Sequence, residues 1–305
     1  MALRAEDLVK KAKEHIEYKK DKKTKIAYLT LNRPDHFNAT TVGMRLLYGD
    51  LIHRANIDDD VKVLVVRGAG EHFGTGGDLD EQNQAYAEGA NVSLLHEFEI
   101  DDPDVKYPQK DSFRYIHGLC EHYSKARGGC RSLQEFKKVS IVEAKGYCYG
   151  WHFYQTGDAD IVVSSEDALF GHPAFRYVGW GPRLWTWIET MGLRKFQEML
   201  FTGRPFTAKE MYECGFINSV VPREKLEEET LALANRIAES DRMTLRMLKF
   251  ALNNAQDAMG YRTAIRNAHS HHMLLGVGPY LREVDQGKLP KRMAGVEQAL
   301  GKLPK

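Results

Sequence analysis

Two glycine-rich stretches and a few titratable side chains could do chemistry in this chain. The first stretch, Glu71 to Leu79, reads EHFGTGGDL and places Gly74, Gly76 and Gly77 within four residues. Without a Cβ in the way, backbone N–H groups there can come close to a ligand. The second, Gly146-Tyr147-Cys148-Tyr149-Gly150, turns the chain into Trp151 to Gln155, which opens as a helix. The first N–H groups of a helix have no partner within it and point the same way. They suit an anion, or a carbonyl oxygen becoming one. Trp151, Tyr154, Gln155 and Asp158 fall on one side of this helix by the three-and-four spacing. Downstream, Phe170-Gly171-His172-Pro173 ends a strand, and alternation gives His172, Ala174 and Arg176 a common face. An imidazole titrates near neutrality, as a general base should. Tyr154 could donate a proton or orient water, and Arg176 or Arg183 could hold a substrate carboxylate. Each also has an ordinary structural use: Tyr154 in amphipathic packing, His172 as a hydrogen-bonded internal group, Arg176 as a loop tie.

Short strands and helices in alternation must position these groups. Ser140–Ala144, Asp160–Ser164 and Ala168–Gly171 read as strands, as do Thr24–Asn32 and Val61–Arg67. Between the last two, Ala39–Ala55 carries Val42, Leu46, Leu47, Leu51 and Ile52 at helical spacing, and Asp58-Asp59-Asp60 ends it. Met1–Lys23 is heavily charged, either a surface amphipathic helix on Leu8, Ala12 and Ile16 or a solvated segment. Residues 80–136 read as an insertion, acidic and loop-like to Lys110 and helical from Ser112. Its Asp101, Asp102 and Asp104 lack the spacing and glycine of a calcium loop. Leu184–Leu200 reads as one helix whose Trp185, Trp187, Met191 and Met199 pack in a core. A short helix at Lys209–Cys214 ends at Gly215. Three helices follow, Arg223–Ala238, Met243–Gln256 and Tyr261–Leu274, and then a basic, proline-broken tail. The domain division is a core of residues 1–222 and a helical region of 223–305.

Composition excludes several function classes. A formal net charge of +1 gives no electrostatic case for nucleic acid or an anionic membrane surface. No apolar run approaches the roughly 18 residues of a membrane span. The charged N-terminus is unlike a secretory signal. Four cysteines without metal-like spacing indicate reduced thiols. A cytoplasmic globular enzyme is expected.

The order of these motifs resembles the crotonase family, the enoyl-CoA hydratase/isomerase superfamily, from roughly Thr24 to Asn267. Leu31-Asn32-Arg33-Pro34-Asp35-His36-Phe37-Asn38-Ala39 is similar to its N-terminal signature, Phe73–Leu79 to its first oxyanion loop and Gly146–Asp160 to its second. Phe170–Pro173, Phe201–Ala208 and Gly215–Pro222 match its later pattern. The resemblance implies an α/β fold, a crotonase-like ββα superhelix (spiral) with a C-terminal helical trimerisation region. It implies an acyl-CoA thioester as substrate, no cofactor beyond that CoA, no metal, and a homotrimer or dimer of trimers. The oxyanion donors carried over are the N–H groups of Gly77 and Trp151. Asn38, Ala39, Gly74, Gly76, Asp78, Leu79 and Gly150 are carried over as substrate-binding. The chain departs from the family at its two catalytic glutamates, for Tyr154 and Ala174 stand at those positions. Ordinary two-glutamate hydration is therefore not expected, and Tyr154, His172 and Arg176 are the candidates to replace it. The abundant aromatics nearby suggest a bulky or cyclic acyl group. Hydration, dehydration, isomerisation, C–C hydrolysis of a cyclic β-keto acyl-CoA and decarboxylation stay open. So does a catalytically inactive scaffold on the same fold.

Overall fold

The computed structural model describes residues 5–81, 104–106, 133–173, 175 and 184–271. Readings that fall on Asp101, Asp102, Ala174, Arg176, Arg183 and most of the 80–136 stretch lie outside the described residues. So does the tail.

A six-stranded sheet forms the body. Strands β1 (Ile16–Asp21), β2 (Ile26–Leu31), β3 (Val63–Gly68), β4 (Val139–Ala144), β6 (Ile161–Ser165) and β9 (Ser219–Val221) lie side by side in that order. All neighbouring pairs are parallel except β1 and β2. The parallel strands are apolar runs because both of their faces are covered. Leu64 and Val66 of β3 point into the larger core with helix α2 (Val42–Ile57), while Val63 and Val65 meet Leu226 and Ala234 on the opposite face. A second sheet of three short strands, β5 (Tyr147–Tyr149), β7 (Leu169–Gly171) and β8 (Phe206–Thr207), stands next in the chain's path. Helix α3 (Trp151–Asp158) leaves β5 directly. The remaining helices are α4 (Leu184–Met191), α5 (Leu193–Thr202), α6 (Ala208–Glu213), α7 (Leu226–Ala238), α8 (Arg242–Ala258) and α9 (Tyr261–His271), with α1 (Ala5–Ala12) at the start.

Three elements differ from the sequence reading. The charged N-terminal segment does begin with a helix, α1, but it continues into strand β1. Ile16, Tyr18 and Lys20 alternate inward, and the Lys20 Nζ finds a partner there, donating to Asp58 at 2.7 Å. The stretch Tyr147–Tyr149 is a strand rather than a turn, since it pairs with β7. Leu184–Leu200 is two helices, because Gly192 adopts φ +77 and breaks the path. The expected tryptophan and methionine core is present, with Trp187, Met191 and Met199 buried. Among the described residues, no helix is long and apolar enough to cross a membrane.

Candidate active site

The two glycine loops are stitched together by backbone pairing. Phe73 and Gly74 donate to the carbonyls of Lys145 and Tyr147 at 2.8 and 2.7 Å, and Tyr149 donates back to Gly74 at 2.9 Å. On its other side the first loop pairs with Thr40, whose N–H and Oγ1 donate to the Gly76 carbonyl at 2.8 and 3.2 Å. A trans peptide sets its N–H opposite its carbonyl. Holding the Gly76 carbonyl toward Thr40 therefore aims the Gly77 N–H away from it. Gly150 has φ +58 and ψ −122, a conformation that glycine tolerates. Its N–H donates to Gly171 at 3.0 Å, and its carbonyl accepts from Tyr154 at 3.2 Å in the first turn of α3. The Trp151 N–H is thereby left at the helix start. Gly76 and Gly150 lie against each other: a Cβ on Gly76 would stand 3.5 Å from the Trp151 nitrogen. Among the described residues, neither the Gly77 nor the Trp151 N–H makes a hydrogen bond. Two unengaged backbone donors on adjoining loops are what an oxyanion site requires.

Several side chains brace this backbone. Asn38, buried and at φ +55, donates to the Ala69 and His72 carbonyls at 2.9 and 2.7 Å and accepts from the Arg33 N–H. Both of its amide donors are used within the protein, so the side chain serves as a clamp. Asp78 accepts from the Asp80 and Glu81 N–H groups and pairs with Arg33. Burial raises the Asp78 pKa, but the Glu81 N–H and Arg33 outweigh it and leave the carboxyl below its usual range. Asp78 thus tethers the loop, while Ala39 and Leu79 beside it keep some exposure. His152 is wholly buried and accepts at Nδ1 from the Gly76 N–H, 3.0 Å away. Sequence reasoning gave His152 no functional role. The bond joins loops 76 positions apart, a pairing no local spacing reveals. The Cys148 thiol is also buried, which pushes its pKa up and makes it a poor nucleophile.

Tyr154 and His172 come together. Parallel pairing sets Tyr149 beside Gly171, so the residue after β7 meets the first turn of α3. The Tyr154 hydroxyl lies 2.6 Å from His172 Nε2, with the two rings edge to face. Phe175 packs on His172 at 4.8 Å and Trp187 on Tyr154 at 5.4 Å. Tyr154 is buried and His172 half-buried. Gln155, on the same helix, turns inward instead and accepts from the Tyr48 hydroxyl at 2.8 Å. Asp160 is structural, bound to Ser140 and to Lys249.

A family model described as enoyl-CoA hydratase/isomerase matches residues 121–274. The chain belongs to the enoyl-CoA hydratase/isomerase family. The crystal structure of a probable enoyl-CoA hydratase from Mycobacterium thermoresistibile superposes with a TM-score of 0.72. It is 29% identical, and the match covers 90% of this chain and 98% of that one. An enoyl-CoA hydratase/isomerase structure from Xanthobacter autotrophicus Py2, at 22% identity, has the same fold, with a TM-score of 0.72 over 95% and 99% of the chains. The fold is thus the crotonase-like α/β spiral expected from the motifs. Among relatives, the hydroxycinnamoyl-CoA hydratase-lyase of Pseudomonas fluorescens is 24% identical over 237 residues, 76% of each chain. At Tyr154 this chain presents a phenol hydrogen-bonded to an imidazole.

Proposed function

We propose that this protein binds a bulky, flat enoyl-CoA with its thioester oxygen between the N–H groups of Gly77 and Trp151. Tyr154 and His172 then carry the proton chemistry of hydration, of its reverse, or of a double-bond shift. The 2.6 Å contact between Tyr154 and His172, beside two unengaged backbone donors, carries this reading. As water adds at the β-carbon, its proton passes to the Tyr154 oxygen while the phenolic proton passes to His172 Nε2. The electron pair of the double bond moves onto the thioester oxygen, giving the enolate that the two N–H groups stabilise. His172 then returns the proton through Tyr154 to the α-carbon, so one water is added and both residues regain their starting states. Gly74, Gly76 and Gly150 let the backbone approach the thioester, with Ala39 and Leu79 at the rim. The aromatic setting of Trp151, Phe175 and Trp187, and the aryl substrate in the name of the Pseudomonas relative, both favour a planar acyl group.

The proposed chemistry uses no cofactor beyond the CoA of the substrate and no metal. We propose also a homotrimer or dimer of trimers, built largely by α7 to α9. On α8, Met243, Met247 and Phe250 recur at helical spacing and are 66%, 58% and 63% exposed, an apolar stripe that water does not favour.

Isothermal titration with crotonyl-CoA and cinnamoyl-CoA, followed by turnover assays, tests the function. Cinnamoyl-CoA should bind at micromolar strength and turn over, while crotonyl-CoA hydration should be slow or absent. His172→Ala should depress turnover by about 10²–10⁴-fold with little change in CoA affinity. Rapid hydration of crotonyl-CoA would show that carboxylates outside this dyad reach the substrate. Absence of binding to either thioester would favour the inactive scaffold.

A further inference from the structure

We infer that His152 is a positioning residue that sets the spacing between the two backbone donors. The inference rests on the reading of Gly77 and Trp151 as the oxyanion pair. His152 follows one donor, Trp151, and its Nδ1 accepts from Gly76, which precedes the other donor, Gly77. Its bond is therefore a side-chain strut between the residues next to both donors. The strut is rigid. The ring is wholly buried, edge-on to Phe73 at 5.1 Å and to Trp151 at 5.1 Å. It fills the space over Gly74, where a Cβ would come within 2.1 Å of Nε2.

The chemistry of the ring fits this task. Nδ1 can accept only if the ring is neutral with its proton on Nε2. Burial drives the pKa down to about 3, against the opposing pull of the Tyr149 and Asn38 carbonyls, so the ring stays an acceptor at working pH. Without that acceptor the buried Gly76 N–H would lose its partner. The Thr75–Gly76 peptide could then rotate about Gly76 and strain the two Thr40 bonds that hold the Gly76 carbonyl, and with them the line of the Gly77 N–H.

Infrared spectroscopy of bound thioesters reads the donors directly. The probes are 3-phenylpropanoyl-CoA and butyryl-CoA carrying ¹³C at the thioester carbonyl, both saturated and so unable to be hydrated. Wild-type protein should shift the carbonyl stretch to lower frequency. His152→Leu should lose more than half of that shift and about 10²-fold in kcat on cinnamoyl-CoA, with KM changing far less. In His152→Asn the side-chain oxygen takes the place of Nδ1, and most of the shift should return. Gly74→Ala, which displaces the ring, should lose the shift as His152→Leu does, and serves if the leucine variant does not fold. A folded His152→Leu or Gly74→Ala protein with the wild-type shift overturns the positioning role while leaving the oxyanion reading intact. No shift in the wild type with either probe overturns both.

Discussion

Replacing Gly150 with alanine tests the oxyanion geometry through two separable effects. The first is backbone strain, since φ +58 with ψ −122 is a conformation that an L-residue holds at a cost of about 1–3 kcal/mol. The second is contact. The new methyl would stand 3.1 Å from the Gly76 Cα and 3.6 Å from the Thr75 carbonyl oxygen, so the loops must part by about a few tenths of an ångström. Together these should lower the melting temperature by roughly 2–6 °C. They should also move the Trp151 N–H off line. Complete loss of an oxyanion donor costs about 10²–10³ in kcat, and a partial displacement should cost about 10–10². Gly192→Ala separates the two effects. Gly192 has φ +77 and nothing within 4 Å of an added Cβ. That variant should lose stability through strain alone and keep its turnover. Thermal melts by circular dichroism and steady-state turnover of cinnamoyl-CoA supply both readouts. If Gly150→Ala melts early but keeps kcat within about twofold of wild type, the Trp151 N–H does not hold the thioester oxygen.

Other consequences are open to measurement. Tyr154→Phe should lower turnover less than His172→Ala, and the double variant should lose less than the product of the two, because the groups act as one unit. Additive losses would mean that they act apart. Met247→Glu combined with Phe250→Glu should turn the proposed trimer into monomers in sedimentation velocity, whereas an unchanged assembly would place the interface elsewhere. Treatment with EDTA should leave activity untouched, and a loss restored by a divalent ion would defeat the metal-free mechanism. Lys138 is buried and donates to the Ala55 and Asp58 carbonyls at the end of α2. Burial, helped by Arg246, pushes its pKa down to about 8, while the unfolded chain keeps it near 10.4. Between those values the unfolded state holds the extra proton, so stability rises with pH. Relative to Lys138→Met, the wild type should gain up to about 3 kcal/mol from pH 7 to pH 10 in urea melts, and a flat difference would rule this out.

Much of the fold was legible because the parallel strands are apolar on both faces and read as runs, as Val63 to Val66 shows. What escaped had a tertiary cause. Strand β1 looks like a charged surface segment until Asp58 is brought to Lys20. Tyr147 to Tyr149 looks like a turn until β7 lies alongside. The glycine that divides α4 from α5 sits inside an apolar stripe, and a stripe alone does not report a positive φ. At the site, Tyr154 and His172 were identifiable from their positions relative to the glycine turns. Their contact depends on the pairing of β5 with β7, which no spacing encodes. Asn38 was expected at the ligand because of where it stands in the motif. Its amide is instead occupied by carbonyls of the loop before Phe73.

The Gly77 and Trp151 N–H groups belong to the main chain, and so no codon encodes them as such. A substitution can displace them, but none short of proline can delete them. The side chains at 154, 172 and 174 have no such protection, and each can change with a single base. On the proposed reading, a chain built this way can drift from one proton chemistry to another while its grip on the thioester persists. The inheritance of that grip then falls to residues such as Thr40 and His152, which need never touch a substrate.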